Sequence, residues 1–313
     1  MKIKNVTRRF FQISNPYFYV APALSIFCLF IIYPLFFQSY LCFFSWNLVS
    51  AKKFVGLENF IRVFTRSPEF YNALFHSLIF TLGTTVFQTS LGLVLAILVA
   101  NVGRSRIVFQ GIFYTPVTMS IIAVALIWTW MYNPAFGIIN FVLERLGLKA
   151  FTHTWLGEPQ TALYAIMVAA IWKWAGFTMV VYLAGMQSIP IELYEVAEID
   201  GAGLFKRFWH ITFPLLLPQT FINMFLTTIG SMKAFDWVFI MTAGGPGRST
   251  EVLPTLIYEN LFRFYRAGEA STMACFLFIT IFVLALLLMR TFRTSFWGDS
   301  CYKMQKIYSR VSS

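Results

Sequence analysis

The chain is short of charge. Only 12% of its 313 residues are Asp, Glu, Lys or Arg, about half the usual share for a soluble domain. With 58% hydrophobic residues and a mean hydropathy of +0.69, it has too little polar surface to close around a water-soluble core. Histidine is scarcer still: His76, His153 and His210 stand far apart, without metal-ligand spacing. The four cysteines include no Cys-x-x-Cys pair, so neither a disulfide framework nor a zinc motif is implied. Cys28, Cys42 and Cys275 fall in apolar runs and Cys301 in the C-terminal tail. Acidic residues number 13, and no two share an apolar run, which removes the carboxylate pair a proton relay tends to need. The glycine-rich run Thr242 to Thr250 lacks the GxxxxGK[ST] order of a phosphate loop and reads as a surface turn. No catalytic, cofactor or metal residue is expected, and any ATP hydrolysis must come from another chain.

What is present is apolar and long. Lipid offers no partner to an open backbone group, so helices must carry the crossings, each needing about 20 apolar residues. Six runs qualify, near residues 18–46, 73–100, 107–131, 161–184, 213–233 and 268–290. The expected fold class is therefore all-α, a polytopic membrane protein with six transmembrane helices. Pro22 and Pro34 predict a tilt or kink in the first. The division expected is a tail at 1–16, one membrane domain at 17–290 and a tail at 291–313. The basic start precedes an apolar run too long for a signal peptide, so it reads as a retained first span. With the N-terminus inside, the inner loops and tails hold 13 Lys and Arg against 9 outside, a modest bias that puts both termini in the cytoplasm. The net charge of +11 is spread along the membrane flanks rather than in a dense patch, which argues against nucleic acid.

One polar island interrupts this pattern, Glu195 to Pro214, within a connecting segment at 185–212. Pro190 suits a first helical turn, and Glu192 and Glu195 favour the positive end of a helix dipole. Gly201 ends that helix because glycine adopts the left-handed conformation freely. Phe205, Phe208 and Ile211 then predict a second short helix before Pro214. The reading is helix, glycine turn, helix, lying at a membrane surface.

This island closely resembles the cytoplasmic coupling loop of ABC importer permeases, whose pattern is Glu-Ala-Ala, three residues, Gly, nine residues, Ile-x-Leu-Pro. Here it stands as Glu195-Val196-Ala197, Gly201 and Ile211-Thr212-Phe213-Pro214, with Val196 and Phe213 departing conservatively. The Asp200-Gly201-Ala202-Gly203 run is similar to the carbohydrate branch, the maltose and glycerol-3-phosphate type. So are Phe54-Val55-Gly56-Leu57-Glu58-Asn59-Phe60 and the stretch from Tyr132 to Asn140. The resemblance runs over residues 18–290. It implies type I permease architecture in a prokaryotic inner membrane and half of a pathway for a mono- or oligosaccharide or an acidic sugar. The implied partners are a second homologous permease, two ATPase subunits that hold ATP and Mg, and an external binding protein. On that resemblance Glu195, Ala197, Asp200, Gly201, Ile211 and Pro214 carry coupling to the ATPase.

Candidate pathway residues lie in two runs. Asn223, Thr227 and Ser231, four apart, share a helical face that would suit either sugar hydroxyls or bonding between helices. By resemblance, Thr227 and Ser231 fall where maltose-type permeases contact sugar. Trp174 and Phe177 offer rings for sugar C–H faces, or an interfacial aromatic belt. Lys173 would meet an anionic substrate, snorkel outward or pair with an acidic partner chain. Glycerophosphodiesters or another polar solute, and a membrane enzyme on lipid-linked substrates, are the alternative functions.

Overall fold

The computed structural model describes residues 19–294, and among these the elements are helices apart from one short hairpin. The expected tail at 1–16, and the part of the tail at 291–313 beyond residue 294 with Cys301, lie outside the described residues. Two compact units are present, one built from residues up to Ser67 with Ile257–Cys275, the other from Pro68–Leu256 with residues from Phe276 onward.

The first unit begins with α1 (Tyr19–Leu41), which contains a π turn at Cys28–Ile32. This wide turn lies just before Pro34, one of the two prolines expected to tilt or kink this run. A proline cannot donate and its ring crowds the carbonyl four residues back, so the turn widens and the N–H of Tyr33 reaches Cys28 instead. Strands β1 (Phe44–Ser45) and β2 (Lys53–Phe54) follow as an antiparallel hairpin, so the predicted first run to residue 46 ends as helix at Leu41. Gly56 turns the chain into α2 (Glu58–Arg66) with φ +58°. Buried Asn59 then donates to the carbonyls of Cys42 at 2.8 Å and Phe44 at 2.9 Å, tying α2 to the end of α1. The sulfurs of Cys42 and Cys275 lie 3.3 Å apart in this unit.

The second unit holds α3 (Pro68–Ala100), α4 (Arg106–Thr118), α5 (Ile121–Met131), α6 (Ile138–Arg145), α7 (Ala162–Gln187), α8 (Glu192–Ile199), α9 (Leu204–Leu215), α10 (Leu217–Met232) and α11 (Phe235–Met241). Helices α12 (Leu253–Tyr258) and α13 (Ala267–Thr294) run across the division between the units. Four helices, α1, α3, α7 and α13, are singly long and apolar enough to cross a membrane. The runs expected as unbroken spans at 107–131 and 213–233 are each two helices instead. Helices α4 and α5 meet at 97°, and α9 and α10 at 63°. Counting each bent pair once restores the six crossings. The physical reasons are local. Met119 and Ser120 both take extended backbone just after Pro116, and Leu216 leaves helical ψ between Pro214 and Pro218, each of which removes a donor from the ladder.

The core sits around α7, whose most apolar stretch is 67% buried against none for α1. Its small residues allow this. A Cβ at Gly176 would overlap the carbonyl of Phe113, so α4 and α7 approach at backbone distance, as small residues permit in membrane bundles.

Candidate functional site

Where α3, α7 and α10 converge, the second unit forms a partly open cavity of about 360 Å³. Its aromatic wall is Trp174 and Phe177 on α7, whose rings meet edge to face at 6.4 Å and 89°. Phe80 and Trp237 add to it, and Ile121, the first residue of α5, enters beside them. The polar groups are Thr84 and Gln88 on α3 and Thr227 and Ser231 on α10, with exposed Lys233 at the C-terminal end of α10 and exposed Asp236 in the first turn of α11. Apolar rings with a few placed hydrogen-bonding groups are the usual lining of a small-molecule site.

The polar groups bond across helices as well as lining the cavity. Thr84 donates to Ser231 at 2.7 Å. The Gln88 amide donates to Thr227 and to Thr178, 3.0 Å each. A third rung joins Thr85 and Thr228 at 3.2 Å. Thus Thr227 and Ser231 bond between helices, one of the two uses that their spacing left open, and also face the cavity. Asn223 differs from them: it is 1% exposed, does not line the cavity, and its Nδ2 reaches the Thr178 carbonyl at 3.4 Å.

Lys173 also stands apart from the lining. It is 1% exposed, and its ammonium donates to the carbonyls of Pro116, Val117 and Met119 at 3.0, 3.1 and 2.6 Å. Contact with an anionic substrate would require it to give up bonds from this set, since an ammonium has three donors. Thr84 and Gln88 escaped the sequence reading, although Thr81, Thr84, Thr85 and Gln88 recur at helical spacing inside an apolar run. That row was the signal.

The six expected coupling residues lie together on one folded element, α8 to α9. Glu195 and Ala197 are on α8, and Asp200 caps it. Gly201 has φ +71°, and two bonds close the turn: Gly201 N–H to Glu198 O at 3.0 Å and Ala202 N–H to Ala197 O at 2.8 Å. These are the paired contacts of a Schellman motif. The arms are joined by Arg207 to Glu198 at 3.1 Å and by Tyr194 to Thr212 at 3.0 Å. The second short helix does not end before Pro214. It continues through a π turn at Phe208–Thr212 that contains Ile211, by the same proline effect as in α1, and runs on past Pro214 to Leu215. Val196, Ile199, Leu204 and Phe205 are left exposed on the element, Ile199 by 85% and Leu204 by 80%.

A family profile described as "Binding-protein-dependent transport system inner membrane component" matches residues 88–295. Among similar proteins is the "Probable ABC transporter permease protein YurN" of Bacillus subtilis, 35% identical over 282 residues, 89% of this chain and 96% of that one. The "Trehalose/maltose transport system permease protein MalF" of Thermococcus litoralis is 36% identical over 249 residues, 79% and 83% of the two chains. The "Sulfoquinovosyl glycerol transport system permease protein SmoG" of Agrobacterium fabrum is 34% identical over 277 residues, 88% and 89%. In fold, the chain matches a subunit of a bacterial ABC transporter involved in the import of the acidic polysaccharide alginate, with a TM-score of 0.78 at 24% identity over 93% of this chain and 97% of that one.

Proposed function

Since the chain belongs to the family of binding-protein-dependent transport system inner membrane components, we propose that it forms half of a carbohydrate pathway and couples to an ATPase through Glu195–Pro214. It is a permease subunit, not an enzyme, and ATP with Mg acts in separate subunits of such importers. The observation that carries the carbohydrate reading is the cavity, with Trp174 and Phe177 beside Thr84, Gln88, Thr227 and Ser231. A sugar presents apolar C–H faces and many hydroxyls, and this lining offers rings for one and hydrogen bonds for the other. Two relatives are named for trehalose/maltose and sulfoquinovosyl glycerol, which supports the same class. An acidic sugar is the second reading, with Lys233 as its cation in a lining that also holds Asp236.

The partners are a second homologous permease, two ATPase copies and an external binding protein. The termini lie in the cytoplasm, which puts α8 and α9 on the ATPase side. There Glu195, Ala197, Asp200, Gly201, Ile211 and Pro214 shape a docking element that presents apolar Val196 and Ile199 with acidic neighbours. ATPase closure moves this element and, through it, the spans. Gentle purification of this subunit from its native membrane tests the assembly. The expected result is a complex with a different permease and an ATPase, whose hydrolysis rises with a sugar-loaded binding protein. Stimulation only by a binding protein loaded with a phosphodiester, a polyamine or an inorganic ion would overturn the carbohydrate assignment.

A further inference from the structure

Lys173 is more deeply buried than any other charged side chain among the described residues, at 1% exposure. Its three bonds all go to one place, the last turn of α4 and the break before α5. Carbonyls at a helix C-terminus have no partner in the ladder and carry the negative end of the dipole. Inside a bilayer no water replaces the missing donors. Broken helices in transporters hold coupling cations with such carbonyl groups, and here the cation is a side chain of the neighbouring helix. The same Nζ lies 5.0 Å from the Trp174 ring centroid, within cation–π range. Both structures it touches border the cavity: Trp174 directly, and the break through Ile121, two residues after Met119. Gly176, one turn on, brings the α4 backbone close enough for a lysine to reach it.

We propose that Lys173 is a tethered cation that fixes the α4–α5 break and thereby sets the positions of Ile121 and Trp174 at the cavity wall. It is a positioning residue for transport and not a substrate contact. The role rests on the reading of this cavity as the solute path.

The test uses the assembled importer with its native cysteines replaced by serine and Ile121→Cys added as a reporter. The rate at which a thiol reagent labels position 121 is compared between Lys173 and Lys173→Ala. The expected change is roughly fivefold, because the carbonyls of Pro116, Val117 and Met119 lose the ammonium, Pro116 keeping only the Met119 N–H at 3.3 Å, and ethylammonium in the buffer returns the rate toward the parent value. Lys173→Arg, which still donates, stays near the parent. An unchanged rate in Lys173→Ala overturns the proposal. So does a change that ethylammonium leaves untouched and that Lys173→Arg shares. If Lys173→Ala does not assemble, Lys173→Met fills the space without donating, and an unchanged rate there overturns the proposal equally. Protection of the same thiol by transported sugar tests the cavity reading separately, since it needs no change at Lys173.

Discussion

The side-chain amide of Gln88 donates a 3.0 Å hydrogen bond to the hydroxyl of Thr227, joining α3 to α10 at the cavity wall. The same amide reaches Thr178 on α7, so one side chain ties three helices. Gln88→Leu should lower stability by roughly 1 kcal/mol, the scale of hydrogen bonds between membrane helices. In a thermal scan of the purified permease that is a fall in Tm of about 2–4 °C. Adding Thr227→Val should cost less than the sum of the two single changes, because both remove the same bond. Strict additivity would show that the two side chains act apart.

Gly201 is a second point of test. A Cβ placed there meets no atom within 4 Å, so any cost of substitution comes from its φ of +71° alone. Gly201→Val should strain the turn by roughly 1–3 kcal/mol and uncouple ATP hydrolysis from uptake at normal abundance. Gly201→Asn, which tolerates the left-handed region, should keep most uptake. Equal uptake by the Val variant and the parent would remove the turn from the coupling argument.

Cys42 and Cys275 need their sulfurs to approach by about 1 Å to reach bonding distance. A mild membrane-permeant oxidant should therefore close one disulfide within the chain, read as two fewer alkylatable thiols by mass spectrometry. Cys42→Ser should abolish that loss. Four free thiols after oxidation of the parent chain would show that Cys42 and Cys275 do not hold this geometry.

Glu158 accepts from the Thr154 backbone N–H at 2.8 Å and lies 3.1 Å from the His153 ring. The backbone N–H first, then the imidazole, holds its carboxyl below the usual carboxylate range. A depressed acid stabilises the folded turn fully above its unfolded value, about 4.3 for glutamate, and loses that contribution as pH falls through the lower folded value. Amide exchange at Thr154 should therefore hold its protection from neutral pH to about 5 and lose it below about 4. Protection that fell between pH 7 and 5 would remove the Glu158 carboxylate as the cause.

Legibility followed the kind of interaction involved. Gly201 was readable because left-handed backbone has a residue preference, and the helix, turn, helix order of 185–212 came with it. The six crossings were readable because they are a matter of length and apolarity. Their interruptions were not. Both sides of Met119 and Ser120 belong to one long apolar run, and Pro116 alone does not say whether a helix bends or stops. Lys173 shows the limit most clearly: its partners are backbone carbonyls, which every residue owns, so the sequence at 116–119 carries no mark of the contact. Thr84 and Gln88 belong to a different case, since their spacing was visible in the second apolar run.

Helix α7 runs unbroken from Ala162 to Gln187, although two of the other predicted spans are bent pairs. It carries Trp174 and Phe177 midway and ends a few residues before α8. From Trp174 to Gln187 is about 20 Å of helix at 1.5 Å per residue, with no π turn, proline or extended residue to absorb a displacement. On the proposed coupling role it would act as a push-rod, a stroke applied at the α8 end arriving at the aromatic wall with its length conserved. The bent pairs of the same unit are interrupted next to prolines where α7 is not, so continuity of the backbone is assigned to one helix and its interruption to others.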